Sequence, residues 1–335
     1  MRTASRVTLR IAAFHATSFH ALERNAARVP WQRFLGPGVR AHLRVTTTKS
    51  KLYHERAIVQ RLAEAIQSLN PSVEMVTARG DADQDERSPD ADHGPVQRFV
   101  VRVHRDDWVV SADTSGSLLH RRGYRLDVAK APLRETLAAG CLLAAGWDGA
   151  MPLIDPMCGS GTIPIEAALL ARRIPPGLRR RFAFEHWPGL DPDIHRQSRK
   201  AFEAEIRHRA PAPIIGSDRD PGAIAAAAAN AERAGVGGDI VWRHGALATL
   251  DPPQGPGWVV TNPPYGHRIG DRHPLRNLYA QFGNVLRRRT PGWQVAMISA
   301  DRMLEAQAGL AWRELAQTDN GGIRVRLIAA PIPSA

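Results

Sequence analysis

Two cysteines, Cys141 and Cys158, are all that the 335 residues contain, and neither has a partner at a metal-site spacing. A disulfide framework and a structural zinc site are thereby excluded. No stretch approaches the ~18 consecutive apolar residues that cross a bilayer. The opening segment "MRTASRVTLRIAAFHATSFHAL" is broken too often by polar or basic side chains to form a secretory apolar core. A cytoplasmic protein with no membrane partner is the expectation. The scattered histidines, among them His20, His42 and His195, show no ligand spacing, and no metal is expected. Acids are scarce at the start: residues 1–70 hold only Glu23, Glu55 and Glu64 against twelve Lys or Arg, and the whole chain has a formal charge of +12. Such a face attracts polyanions, although abundant Ala and Arg with few Lys is equally the composition of a GC-rich genome.

What is present falls into two textures. Residues 38–48, "GVRAHLRVTTT", alternate as a strand with Val39, Ala41, Leu43 and Val45 on one side. A helix follows, with Ser50 as its expected cap, a stripe of Ile58, Leu62, Ile66 and Leu69, and Pro71 beyond its end. Residues 98–115 read as two strands about an Arg105-Asp106-Asp107 turn. The acidic, aperiodic stretch 80–95 between them reads as a solvated excursion rather than a regulatory loop. From about residue 116 strands and helices alternate: an amphipathic helix over 129–147, strands at 151–156, 212–218, 239–246, 257–266 and 292–300, and helices after the first two and at 277–289. This alternation predicts an α/β, doubly wound, mostly parallel sheet, in which ligands bind outside the carboxyl ends of the strands.

The chemistry-bearing residues fall at those ends. "DPMCGSGT" puts Asp155 at the end of a strand and Gly159 and Gly161 in the turn into a helix, where backbone N–H groups approach a ligand closely. A phosphate-binding P-loop requires Gly-Lys-Ser/Thr, and Gly161-Thr162-Ile163 does not supply it. A dinucleotide fingerprint requires a third Gly or Ala where Pro164 stands. A turn that cradles the amino-acid and ribose parts of S-adenosyl-L-methionine needs neither, and Asp155 suits that cofactor's ammonium. Asp218 ends the next strand and suits ribose hydroxyls, unless it or Asp220 caps the following helix. The run Arg179-Arg180-Arg181 is either a solvated helix end or a phosphate contact.

"VTNPPYG" ends the fourth strand of this series. An exocyclic amine is a poor nucleophile because its lone pair is delocalised into the ring. Two acceptors against its N–H bonds, the Asn262 side-chain oxygen and the Pro263 carbonyl, would localise that pair. Pro263 and Pro264 hold the loop fixed, Tyr265 would stack on an extruded base, and Gly266 lets the chain turn away. Adenine N6, cytosine N4, guanine N2 and a glutamine amide all present this amine geometry.

With "KSKLYH" (49–54), "DTSGSLLHRRGYR" (113–125), "APLRETLAA" (131–139), "DPMCGSGTIPIEAA" (155–168), "GSDRDPGAI" (216–224), "TNPPYG" (261–266) and "NGGIRVRL" (320–327), the chain resembles THUMP-domain class I RNA methyltransferases, specifically bacterial 23S rRNA guanine-N2 methyltransferases and their tRNA relatives. The resemblance implies a Rossmann-like doubly wound methyltransferase sheet (117–335) preceded by a smaller α+β THUMP domain (46–116), with a partial ferredoxin-like element at 1–45. It implies S-adenosyl-L-methionine as cofactor, held by Asp155, Met157, Cys158, Gly159, Ser160, Gly161, Thr162, Asp218 and Arg219. Asn262, Pro263, Pro264 and Tyr265 match the catalytic loop. Lys49, Lys51, Arg121 and Arg122, together with Arg180 of the charge run, become candidate RNA contacts, with rRNA favoured over tRNA and no obligate protein partner. In two places the chain departs from the family. Gly245 stands about where family members carry an acid for the adenine amine, with Asp251 expected beyond reach. The family's ferredoxin-like element also begins upstream of this chain's Met1. The competing classes are a DNA amino-methyltransferase and an RNA-binding protein without catalysis.

Overall fold

The computed structural model describes residues 1–76, 94–126, 133–265 and 272–334. The chain divides into two compact units, one of Ala4–Leu119 with Arg180–Arg199, the other of Met1–Thr3, His120–Arg179 and Lys200–Ala335.

The first unit is built from β1 (Thr8–His15), α1 (Phe19–Ala26), β2 (Arg40–Thr48), α2 (Glu55–Leu69), β3 (Val96–His104) and β4 (Asp107–Asp113). Its sheet runs β1-β4-β3-β2, parallel only between β2 and β3. The period-two residues Ala41, Leu43 and Val45 face Phe99, Val101 and Val103 in one core, closed by Ile58, Leu62 and Ile66 of α2. Each large side chain so buried contributes about 1.5–3 kcal/mol. Arg105 and Asp106 both take left-handed φ values, 51° and 66°, the geometry that matches a tight hairpin to strand twist. Ser50 is not the helix cap: its hydroxyl accepts the Asp106 N–H and donates to the Thr48 carbonyl, and α2 starts only after His54. The hairpin turn has taken the polar group that the helix was expected to use.

The expected division at residue 45 falls inside β2, and the structure does not divide there, because β1 is hydrogen-bonded to β4 across it. Residues 180–199, expected in the methyltransferase region, belong instead to this first unit. Trp187 is the reason: its indole N–H donates to Gln97 Oε1 at 2.7 Å and its ring meets Phe34 edge-on at 4.8 Å. The described part of the acidic 80–95 stretch is only its last two residues.

The second unit carries α3 (Glu135–Ala145), β5 (Leu153–Asp155), α4 (Thr162–Ala171), β6 (Ile214–Asp218), α6 (Pro221–Ala234), β7 (Ile240–His244), β8 (Trp258–Thr261), α7 (Arg272–Arg289), β9 (Gln294–Ser299), α8 (Arg302–Gln307), β10 (Arg313–Asn320) and β11 (Ile323–Pro331). The helix α5 (Pro192–Ala204), which buries none of its residues, runs across the division between the units. The sheet order is β10-β11-β9-β8-β5-β6-β7, with β5 to β9 parallel and β10 and β11 antiparallel. Along each strand, neighbours enter opposite cores. Leu153, Ile214, Trp258, Val260 and Ala296 join one, while Ile154, Ile215, Val259, Val295 and Met297 join the other. The doubly wound sheet is therefore written as near-continuous apolar runs. The helix expected to be amphipathic over 129–147 is in its described part apolar on most sides, with Ala138, Ala139, Cys141 and Leu142 buried. Among the described residues no helix is long and apolar enough to cross a membrane.

From β5 the chain adds β6 and β7 on one side, then returns to add β8 and β9 on the other. The carboxyl ends of β5 and β8 therefore lie side by side at the switch point.

Candidate active site

At the end of β5, Gly159 and Gly161 adopt φ of +52° and +83°, a region that costs other L-residues about 1–2 kcal/mol. The two glycines are needed for different reasons. A Cβ on Gly161 would lie 2.7 Å from the Trp242 ring and 2.9 Å from Ala227 Cβ, so close packing of α4 on its neighbours excludes a side chain. A Cβ on Gly159 would meet nothing within 4 Å, because that face of the turn is open.

The turn is held from β6 and α6. The Cys158 N–H donates to the Ser217 carbonyl at 3.0 Å, and the Gly159 N–H donates to Asp218 Oδ2 at 2.9 Å. Asp218 Oδ1 takes the Asp220 N–H at 3.0 Å, while Asp220 itself caps α6 by accepting from the Gly222 N–H at 2.8 Å. The two readings of this pair separate accordingly: Asp220 is the cap and Asp218 is left at the strand end. Arg219 is exposed, and its carbonyl lies 3.1 Å from His244 Nε2. Ser160 and Thr162 are buried. Asn230, buried within the alanine-rich α6, donates to the Ser160 carbonyl at 3.1 Å. The sequence reading passed over it, although a lone Asn in "AAAAANAERA" was the available signal.

Asp155 joins this turn to the loop after β8. Its Oδ1 accepts the Thr261 hydroxyl at 2.7 Å and the Met157 N–H at 3.2 Å. Burial pushes its pKa up to about 7, against the pull of those two hydrogen bonds. Burial likewise raises the Cys158 thiol, which stays neutral.

Asn262 follows Thr261 directly. Its Oδ1 is buried and has no hydrogen-bond partner among the described residues, an omission that costs about 1–3 kcal/mol in an ordinary interior. The rest of the loop is held: Pro263 is buried, the Pro264 carbonyl accepts the Tyr279 hydroxyl at 3.4 Å, and the Tyr265 hydroxyl accepts from Asn320 Nδ2 at 2.9 Å. Asn320 sits at the β10–β11 turn, within the "NGGIRVRL" segment. Gly266 lies outside the described residues.

Beside Asp218, a cavity of about 350 Å³ is lined by Ile215, Ser217, His244, Gly245, Thr249 and Asp251 among others. Asp251 lines the same cavity as Gly245, with its carboxylate 3.3 Å from the Arg243 guanidinium.

The five candidate RNA contacts divide. Lys49 and Lys51 are exposed and Arg121 is half-buried. Arg122 is not available: its side chain is 3% exposed and pairs with Glu166, itself fully buried, which also accepts the Tyr124 hydroxyl at 3.2 Å. Arg180 is a clamp, donating to the carbonyls of Leu118 (2.9 Å), Ser115 (2.9 Å) and Ser117 (2.5 Å). Both were chosen for charge, which says nothing of burial. Among the described residues no cluster of His, Cys, Asp or Glu has the form of a metal site.

Comparison with known proteins agrees with this geometry. The model of the RMKL-like methyltransferase domain family, UPF0020, matches residues 122–327. The Ribosomal RNA large subunit methyltransferase K/L of Chromohalobacter salexigens is 36% identical over 325 residues, covering 93% of this chain but only 43% of that protein. The chain thus spans less than half of that relative's length. Among solved structures, a "predicted N6-adenine-specific DNA methylase" from Listeria monocytogenes is 30% identical with a TM-score of 0.82, covering 97% of this chain and 82% of that one. Another, complexed with SAH, is 27% identical with a TM-score of 0.82, covering 98% of this chain and 85% of that one. The cofactor is S-adenosyl-L-methionine. The residues fit it, since the open face over Gly159, the Asp218 carboxylate and the cavity past β6 and β7 provide space and acceptors at the strand ends. By its sheet, its glycine turn and its match over residues 122–327, the chain belongs to the RMKL-like methyltransferase domain family.

Proposed function

We propose that this chain is an RNA methyltransferase that methylates the exocyclic N2 of a guanine, with 23S rRNA its preferred substrate and the cytoplasm its place of action. The buried, unpaired Oδ1 of Asn262 carries the reading. A buried acceptor without a donor is explained when a substrate supplies the donor, and an amino group has two N–H bonds to offer. S-adenosyl-L-methionine supplies an electrophilic methyl group on a sulfonium.

Each residue then has a task. Asn262 Oδ1 accepts one N–H of the amine and the Pro263 carbonyl the other, so the nitrogen lone pair is turned toward the methyl carbon. With the cofactor bound, its methyl would pass to that nitrogen, the S–C bond breaking as the C–N bond formed, and the amine proton would leave to solvent. Pro264, tied through its carbonyl to Tyr279, keeps the acceptors from drifting, which is where proximity supplies rate. Tyr265, anchored at its hydroxyl by Asn320, stacks on the base. Asp155, Met157, Cys158, Gly159, Ser160, Gly161, Thr162, Asp218 and Arg219 hold the cofactor. The unit of Ala4–Leu119 is a THUMP-type RNA-binding module, and Lys49, Lys51 and Arg121 contact phosphates; Arg122 and Arg180 do not.

The test is methyl transfer from labelled cofactor to unmodified 23S rRNA, tRNA and DNA, with products digested to nucleosides. N2-methylguanosine from rRNA, lost in Asn262→Ala, is the expected result. The same nucleoside from tRNA alone would move the substrate and keep the chemistry. N6-methyladenine in DNA, the activity in the Listeria monocytogenes protein's name, would overturn the reading.

A further inference from the structure

The first unit has a second concavity, of about 350 Å³, formed by β1, the segment before β2 and the 187–190 stretch. Its walls are Leu9, Ile11, Phe34 and Trp187, and Arg10 and Arg33 stand on its lining. It is unlike an accidental groove in three respects.

The first is how β1 supplies the wall. A regular strand sends successive side chains to opposite faces, yet Leu9, Arg10 and Ile11 all line this cavity. The pairing of β1 with β4 slips between Arg10 and Ala12, so Ile11 is the extra residue of a bulge. Bulges on edge strands re-aim side chains, and β1 is an edge of its sheet.

The second is the chemistry of the walls. Trp187 lines the cavity with its indole N–H already committed to Gln97 Oε1 at 2.7 Å. What it leaves for an occupant is aromatic and apolar surface. No acid lines the cavity, and the nearest ones in sequence, Asp191 and Glu185, accept the backbone N–H groups of Asp193 and Phe182.

The third is the charge. Among the described residues neither Arg10 nor Arg33 makes a side-chain hydrogen bond or ion pair, and both are exposed. They lie within the stretch that carries twelve basic residues against three acids.

An aromatic and apolar slot flanked by two uncommitted guanidiniums fits a flat heterocycle attached to phosphates. The two guanidiniums favour a polyanionic strand, whose every residue carries a phosphate, over a peptide, whose backbone carries no charge. From this we infer that the cavity takes an unstacked base of single-stranded RNA, with Arg10 and Arg33 on the flanking phosphates. This rests on the RNA reading of the preceding subsection and adds to it that part of the substrate must be unpaired. Stacking on aromatic side chains tolerates any base, so the slot reads strandedness rather than sequence.

Trp187→Ala would also remove packing against Phe34, so the informative variants are at exposed positions: Leu9→Glu, Arg10→Ala and Arg33→Ala. The full chain is titrated with a labelled oligouridylate of about twelve nucleotides, with an abasic ribose-phosphate strand of equal length and with an RNA duplex. Binding of SAH is measured in parallel as a check on the fold. The expected result is that the base-free strand binds about 5- to 20-fold more weakly than oligouridylate. Leu9→Glu should abolish that preference, and each arginine variant should lower the salt slope by about 0.7. Equal binding of the base-bearing and base-free strands, or variants that bind oligouridylate as the parent does, would overturn the slot while leaving RNA binding intact. A parent chain that binds SAH but no RNA of any kind would overturn the RNA reading and the slot together.

Discussion

The loops that follow β5 and β8 lie side by side and treat their polar atoms in opposite ways. In the glycine turn nearly every polar group is spoken for: Gly159 by Asp218, Ser160 by Asn230, Asp155 by Thr261 and Met157. In the Asn-Pro-Pro-Tyr loop the outer members are tied down by Tyr279 and Asn320, and the central acceptor is left open. One loop is a frame that is finished by folding. The other is finished only by its substrate. A substitution in the frame should therefore register in stability, and one at the open acceptor in rate.

The largest effect is expected beneath the frame. Glu166 on α4 is fully buried, and burial pushes its pKa up while the Arg122 charge opposes that shift most strongly. Arg122→Ala should destabilise the chain by about 3–5 kcal/mol by stranding that carboxylate, read as a fall in the chemical denaturation midpoint. A variant as stable as the parent, but deficient in RNA binding, would restore Arg122 as a phosphate contact. Next comes Asn262→Ala, which should cut methyl transfer by about 10²–10³-fold with unchanged SAH affinity and an unchanged or raised melting temperature. Loss of stability instead would show that the acceptor has a partner within the fold.

The two glycines sharpen the contrast within one turn. Gly161→Ala drives a methyl into Trp242 and Ala227 and should cost about 2–3 kcal/mol of stability. Gly159→Ala should cost only about 1 kcal/mol but weaken SAH binding, because its Cβ would occupy the open face. Equal effects on both quantities would remove the distinction between them.

Asp155 gives a smaller, pH-dependent effect. Its folded pKa of about 7 lies above the ordinary 3.8, so between those values the folded chain binds more protons than the unfolded one. Stability of the ligand-free chain should thus fall as pH rises from about 4 to about 7, by at most about 1.4 kcal/mol per pH unit from this group, and level off above that. Glu135, also raised to about 7 by burial, adds a slope of the same sign. Asp155→Asn should flatten the dependence in part, and an undiminished slope would assign all of it elsewhere. The smallest effect is Lys49→Ala, expected to weaken RNA binding a few-fold and to reduce the salt slope by about 0.7, with no change in melting.

The order of elements in the second unit was legible because buried parallel strands leave apolar runs such as Leu153-Ile154 and Val259-Val260, separated by glycine and proline signals. The strand-end residues Asp155, Asp218 and Asn262 were legible for the same reason: the sheet topology dictates where such ends meet. What escaped was whatever depended on partners distant in sequence. Nothing near Arg122 announces that Glu166, forty-four residues on, will bury it. Nothing near Trp187 announces Gln97. The Ser50 cap failed because Asp106, from a hairpin far along the chain, competes for the same hydroxyl. Local pattern specifies elements, and pairings between remote polar groups decide which charges remain for function.

The chain crosses between its units more than once. It starts in the methyltransferase unit with Met1–Thr3, leaves, returns at His120, leaves again for Arg180–Arg199 and returns at Lys200. Neither unit is thus a contiguous stretch that a single cut could release. A fragment beginning at His120 would lack Arg2, whose guanidinium donates to the Leu169 and Ile174 carbonyls at the end of α4, and would carry 180–199 without the sheet it packs on. Such interlacing resists modular exchange: a recombination event that swaps the first unit for another must preserve four junctions at once.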